Sequence, residues 1–265
     1  MKRISIIILV AILTLSLFAC AAEKQDLTSI SDYVPAPTST QIATGTLHFT
    51  EGTGDSAIIT DYVGLYTEHT VEIPETINDR TVISIGKEAF YYCTSATEII
   101  LPETIVTIDD FAFAGCTSLE TIVIPASVTS IGEFAFYGCE NLKSIVFEGT
   151  SLKTIGNYAF FDCAALDSIT LPAGLKSIGD AAFFGCTALG KITSPSSLEE
   201  IGTMSFYGCN GLNSDGALTL TASIKNIGEY AFTGINKEYI SAPEGSYAAE
   251  YVAEMREPAE EETEA

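Results

Sequence analysis

The sequence predicts a mainly β repeat solenoid, with short strands and one helical or 3-10 turn in each unit of about 23 residues, capped at both ends. Three observations predict it. Cys93, Cys116, Cys139, Cys163, Cys186 and Cys209 follow one another at gaps of 23, 23, 24, 23 and 23 residues. Three residues before each stands a phenylalanine: Phe90, Phe113, Phe136, Phe160, Phe183 and Phe206, with Phe232 in the same place in a last copy. Each copy also holds two short apolar alternations, the period of a half-buried strand.

The second copy shows the unit most fully. It runs through Ile108, Ala112, Phe113, Cys116, Leu119, Ile122, Ile124, Pro125 and Val128, and Ile131-Gly132 opens the next. Ile122-x-Ile124 reads as one strand, ended by Pro125, which has no N–H to donate to a ladder. Val128-x-x-Ile131 reads as a second strand. The glycine after it is expected to permit a sharp turn, and Asp109, which replaces that glycine once, to tolerate a left-handed backbone. The spacing from Ala112 to Leu119 predicts a helical or 3-10 turn buried through Ala112, Phe113 and Cys116. No single unit can bury its own apolar face, so the copies must stack into one continuous core.

The run Ile-Gly-x-x-Ala-Phe-x-x-Cys-x-x-Leu-x-x-Ile-x-Leu-Pro resembles the BspA-type leucine-rich repeat of bacterial surface proteins, over roughly Val71 to Ile240. The resemblance implies a right-handed leucine-rich-repeat array with sheet on its faces, and adhesion, coaggregation or host-matrix binding as the class of function. The pattern departs in places. Ala96 stands where Leu is expected, Glu148-Gly149 replaces a proline, extra residues sit between Leu212 and Leu218, and Ile235 takes the last cysteine position.

The segments follow in order. Residues 1–19 read as a secretory signal: Lys2 and Arg3, then an apolar run to Phe18. Leu17-Phe18-Ala19-Cys20 resembles a lipobox, with Cys20 as the lipidation site and Phe18 bulkier than usual; an ordinary cleaved signal or an uncleaved anchor are the alternatives. Residues 20–44, rich in Ser, Thr, Ala and Pro, read as a flexible tether. Residues 45–80 carry less regular strand patterns and read as an N-terminal cap, since terminal repeats must shield the core. The array is assigned to 81–240. Residues 241–255 are expected to form a C-terminal cap helix, with Tyr247, Tyr251 and Met255, together with Ala248 and Val252, on one face. Residues 256–265 read as a disordered acidic tail.

Formal net charge is −23, and without Lys2 and Arg3 ten cationic side chains stand against 35 acidic ones, a net of −25. With no basic stripe, this argues against nucleic acid and against adsorption to anionic lipid; membrane contact is expected through the lipid anchor only. Six cysteines in an exported chain ordinarily suggest disulfides. Their fixed height in every turn suggests instead a ladder of reduced thiols acting as small hydrophobes. No metal or cofactor is expected: no CxxC occurs, and His48 and His69 lie outside the array.

No catalytic constellation appears, so a non-enzymatic module is predicted. Asp109-Asp110 and Glu199-Glu200 read as solvated surface. Three exposed rows are candidate binding surface. Ile100, Val123 and Val146 should point out of the first strand, followed by Thr170 and Thr193. Beside them run Thr121, Ser144 and Ser168, with Glu98 and Lys191. An aromatic row, Tyr91, Tyr137, Phe161, Phe184 and Tyr207, lies next to Phe111, Phe134 and Tyr158; these rings either contact a ligand or, as the regular alternation with the Phe ladder favours, stack on one another over the edge of the core. The expected partner is an extracellular protein or glycan. The alternatives are polysaccharide capture for a neighbouring uptake system and a structural envelope role.

Overall fold

The computed structural model describes residues 38–42, 45–64 and 69–255, all within the compact unit Pro37–Ala265. The signal, Cys20 and the acidic tail lie outside the described residues.

The chain enters through three long strands, β1 (Thr38–Ile42), β2 (Gly45–Glu51) and β3 (Ser56–Gly64), paired antiparallel in sequence. β4 (Thr70–Glu72) and a short β5 (Thr76–Ile77) follow, and β6 (Arg80–Ile85) pairs parallel with β3. From there each coil contributes two strands: β7 (Glu98–Ile100) and β8 (Thr107–Ile108), β9 (Thr121–Ile124) and β10 (Ser130–Ile131), β11 (Ser144–Phe147) and β12 (Thr154–Ile155), β13 (Ser168–Ile169) and β14 (Ser177–Ile178), β15 (Ile192–Thr193) and β16 (Glu200–Ile201), β17 (Leu218–Thr219) and β18 (Asn226–Ile227). β19 (Ile240–Ser241) opens one more, and helix α1 (Tyr247–Glu254) ends the described chain.

The second strands extend the first sheet in the order β6-β8-β10-β12-β14-β16-β18, and the first strands make a second sheet, β4-β7-β9-β11-β13, continued by β15-β17-β19. The pairings from β6 to β18 and from β7 to β19 are parallel and in register, isoleucine on isoleucine except where Leu218 of β17 takes its place. The core is therefore a set of ladders. Phe90, Phe113, Phe136, Phe160, Phe183, Phe206 and Phe232 are fully buried and stacked at centroid separations of 5.0 to 5.8 Å. Each buried ring contributes about 1.5–3 kcal/mol by area transfer, and stacking adds about 0.5–1.5 kcal/mol per pair.

In most coils the third face differs from the predicted helical or 3-10 turn. It is a chain of tight turns, and among the described residues a 3-10 turn forms only at Asn210–Leu212 and at Lys237–Tyr239. The reason lies in where the amides go. Ala112, Ala114 and Cys116 donate locally, to carbonyls three residues back, while Phe111, Phe113 and Gly115 donate to Glu133, Ala135 and Tyr137 of the next coil. A helix would use every amide internally; here alternate ones hold the stack together. That alternation requires a left-handed residue in each coil. Glu88, Phe111, Phe134, Tyr158, Ala181, Met204 and Tyr230 occupy it at φ from 50° to 61°. Asp109 does not.

The repeated glycine also has another cause than the turn expected of it. Gly132, Gly156, Gly179, Gly202 and Gly228 keep φ outside the left-handed region, and a Cβ on Gly156 would lie 2.5 Å from the carbonyl carbon of Gly132. The position is reserved for close approach of backbone on backbone.

At the ends, β1 occupies Thr38–Ile42, inside the segment read as tether. Tyr62 of β3 stacks on Phe90 at 5.1 Å and starts the aromatic ladder. At the other end Ser246 accepts from the Ala249 amide and caps α1. Tyr251 sets its ring edge-on against Phe232 at 5.9 Å and donates to the Gly228 carbonyl at 2.9 Å. Ala248, Tyr251, Val252 and Met255 pack on the core, whereas Tyr247, expected on the same face, is exposed.

Candidate binding surface

The second sheet places the predicted apolar row on its outer face. Period two sends Ile99, Ile122 and Ile145 inward and leaves Ile100, Val123 and Val146 outward, 44%, 43% and 51% exposed. Parallel register sets Glu72 beside Ile100 and Val123 beside Val146. The neighbouring outward row is polar: Glu98 beside Thr121, Thr121 beside Ser144, Ser144 beside Ser168, and a bridge from Ser168 to Lys191. Thr170 and Thr193, both exposed, extend the apolar row as hydroxyls.

A cavity of about 310 Å³ lies on this face, lined by Ile100, Val123, Glu98, Thr121, Glu103 and Glu148 among others. Sequence reasoning missed Glu103 and Glu148. They sit in the turns after β7 and β11, and their meeting depends on coil stacking rather than on any motif. A side-chain hydrogen bond to Glu148, then partial desolvation, then repulsion from Glu148 and Glu75, push the Glu103 carboxyl above its usual range. Carboxylates that resist ionising together mark a place where positive charge is favoured.

The aromatic rows behave differently. Phe161 is buried, and Tyr91, Tyr137, Phe184 and Tyr207 are half-buried. Tyr137, Phe161, Phe184 and Tyr207 stack in succession at 5.3, 4.6 and 4.9 Å. Phe111, Phe134 and Tyr158 form a second stack at 4.7 and 4.6 Å. The ring faces, which a sugar would use, are turned on one another.

The thiols are structural in this arrangement. All six described cysteines are free. The thiols of Cys116, Cys139, Cys163, Cys186 and Cys209 donate to the carbonyls of Phe90, Phe113, Phe136, Phe160 and Phe183 at 3.0 to 3.2 Å. Burial raises their pKa values, that of Cys209 to about 12. Cys93 is half-buried. Among the described residues no cluster of three or more His, Cys, Asp or Glu side chains is placed to hold a metal ion, and no helix is long and apolar enough to cross a membrane. Of the carboxylate pairs, Asp109 is raised by burial and accepts from Ser84 Oγ at 3.4 Å. Glu199 is held between Lys176 and Lys225.

With the repeat geometry in place, comparison with known proteins decides the family. The family described as the BspA type leucine rich repeat region matches in six copies, over residues 83–213 and 153–251. The chain belongs to this family. A leucine-rich repeat protein of T. pallidum is 29% identical, with TM-score 0.68, covering 79% of this chain and 94% of that one. A leucine-rich repeat protein of Bacteroides ovatus is 33% identical, with TM-score 0.61, covering 74% of this chain and 57% of that one. A leucine rich cell surface protein of Faecalibacterium prausnitzii, 20% identical with TM-score 0.50, covers 80% of this chain and 77% of its own, and shows the fold alone. No curated protein matches the sequence. The in-register ladders are the repeat of this BspA-type family.

Proposed function

We propose that the chain is a non-enzymatic binding module, displayed outside the cell on a lipid anchor at Cys20, that takes a protein ligand on the outer face of its second sheet. One observation carries the reading. Ile100, Val123 and Val146 form a contiguous exposed apolar row on adjacent, in-register strands, rimmed by Glu98, Glu103 and Glu148. Exposed apolar patches rimmed by polar groups mark interaction sites. The rim, on a chain of net charge −23, favours a ligand with apolar residues flanked by Lys or Arg. Membership in the BspA-type family supports surface binding and protein–protein contact as the coarse class, and adhesion to host matrix or to other cells is the finer reading. Polysaccharide capture is the second reading, weakened by the mutual stacking of the aromatic rows.

An array of extracellular-matrix proteins and glycans, probed at two salt concentrations, tests this. A protein ligand whose binding weakens with salt is expected. A glycan ligand lost on Tyr137→Ala and Tyr207→Ala, with folding intact, would replace this reading by polysaccharide capture.

A further inference from the structure

The far end of the solenoid leaves an unfinished ladder. In the coil before last, the amides of Met204, Phe206 and Gly208 donate to the carbonyls of Glu229, Ala231 and Thr233 at 2.9, 2.8 and 3.0 Å. The coil before that does the same, Ala181, Phe183 and Gly185 donating to Thr203, Ser205 and Tyr207. The equivalent amides of the last coil, on Tyr230, Phe232 and Gly234, have no acceptor among the described residues. Helix α1 covers the Phe232 ring with Tyr251 but does not supply carbonyls to this row. A cavity of about 180 Å³ remains between the row and the helix, lined by Tyr230, Phe232, Gly234, Ile235, Tyr251 and Met255.

We propose that this end is a docking edge for an extended, cationic segment of another polypeptide. In the array the acceptors come from turn residues of the next coil; at this open end a docked segment would supply them from its own backbone carbonyls. The row only donates, so the bound segment needs acceptors and no N–H of its own. This excludes a second copy meeting it end to end, since donors would face donors. The opposite end of another copy is no substitute, because Tyr62 and β3 already cover its first coil. The charge of the occupant follows from the neighbouring residues: Glu229, Glu250 and Glu254 are exposed and adjoin the lining residues Tyr230, Tyr251 and Met255 in sequence, and no Lys or Arg lines the cavity.

The test uses the full-length, nitrogen-15-labelled chain and an acetylated, amidated nonapeptide of alternating alanine and lysine. Amide exchange at Tyr230 and Gly234 is expected to slow by about tenfold or more at millimolar peptide. The effect should weaken with salt and with Glu229→Lys, and should be absent for the alanine–glutamate peptide. No response, an equal response to the acidic peptide, or insensitivity to Glu229→Lys would overturn the proposal. So would amides already protected without peptide that lose protection when residues 256–265 are removed, because the site would then belong to the chain's own tail. A response confined to Ile100, Val123 and Val146 would overturn it as well, and would assign the peptide to the outer face.

Discussion

Ser205 stands where six other coils place alanine: Ala89, Ala112, Ala135, Ala159, Ala182 and Ala231. Its hydroxyl is fully buried and has no hydrogen-bond partner. Such a group costs about 1–3 kcal/mol, so Ser205→Ala is expected to stabilise the fold by roughly 1 kcal/mol or more, read as a higher denaturant midpoint at unchanged slope. The second residue-scale expectation concerns Glu199. Hydrogen bonds from Lys225 and then Lys176 lower its pKa from 4.5 to about 2. A depressed carboxyl binds fewer protons folded than unfolded. Its contribution is thus present above the ordinary carboxylate range and lost as pH falls through about 2. Carbon-13 titration of the Glu199 carboxyl should show that low midpoint, and Lys225→Ala should move it upward. The residue scale is also where the sequence was hardest to read. Left-handed Phe111, Phe134 and Tyr158 carry no sequence mark, because stacking with neighbours offsets a backbone cost of about 1–2 kcal/mol each. The next left-handed position was legible in principle, since Gly115, Gly138, Gly185 and Gly208 recur there.

Elements here are defined by their neighbours in the stack. Strands of two residues such as Ser130–Ile131 have no stability alone and exist because coils above and below pair with them. The recurring isoleucine still marked where they fall, though Val128, read as the start of the second strand, precedes β10; Pro125 marked the end of β9. The turn face reads from sequence as a helical or 3-10 turn because its apolar spacing, Ala112 to Cys116 to Leu119, fits one as well as a succession of turns; only the destination of alternate amides separates the two. Likewise Ile-Gly told where a constraint lies but not its origin. If the origin is backbone approach between coils, Gly156→Ala must push Gly132 away. It should destabilise by about 1–3 kcal/mol, the range for overpacking, while a glycine wanted only for a turn would tolerate alanine at its ordinary φ. Thermal unfolding of the variant separates these outcomes.

For the whole molecule, each coil touches only the next, so stability is a sum of units and interfaces. Removing residues 133–156, one 24-residue period, joins Gly132 to Asn157 and leaves the ladders in register. The shortened chain is expected to fold with an unchanged circular-dichroism spectrum per residue and a lower midpoint, whereas removing 133–144 should destroy cooperative unfolding. At this scale fold and period were legible from spacing alone. The proposed binding face was legible only in part: alternation exposed Ile100, Val123 and Val146, but Glu103 and Glu148 meet only once the coils are stacked. The central claim is that this face binds. The most direct test is the affinity of the matrix-protein ligand for the native chain, for Val123→Glu, and for Tyr137→Ala with Tyr207→Ala, all checked for equal stability. Val123→Glu alone is expected to weaken binding, by about tenfold or more, a loss of about 1.4 kcal/mol. Affinity unchanged by Val123→Glu and abolished by the tyrosine substitutions would contradict it.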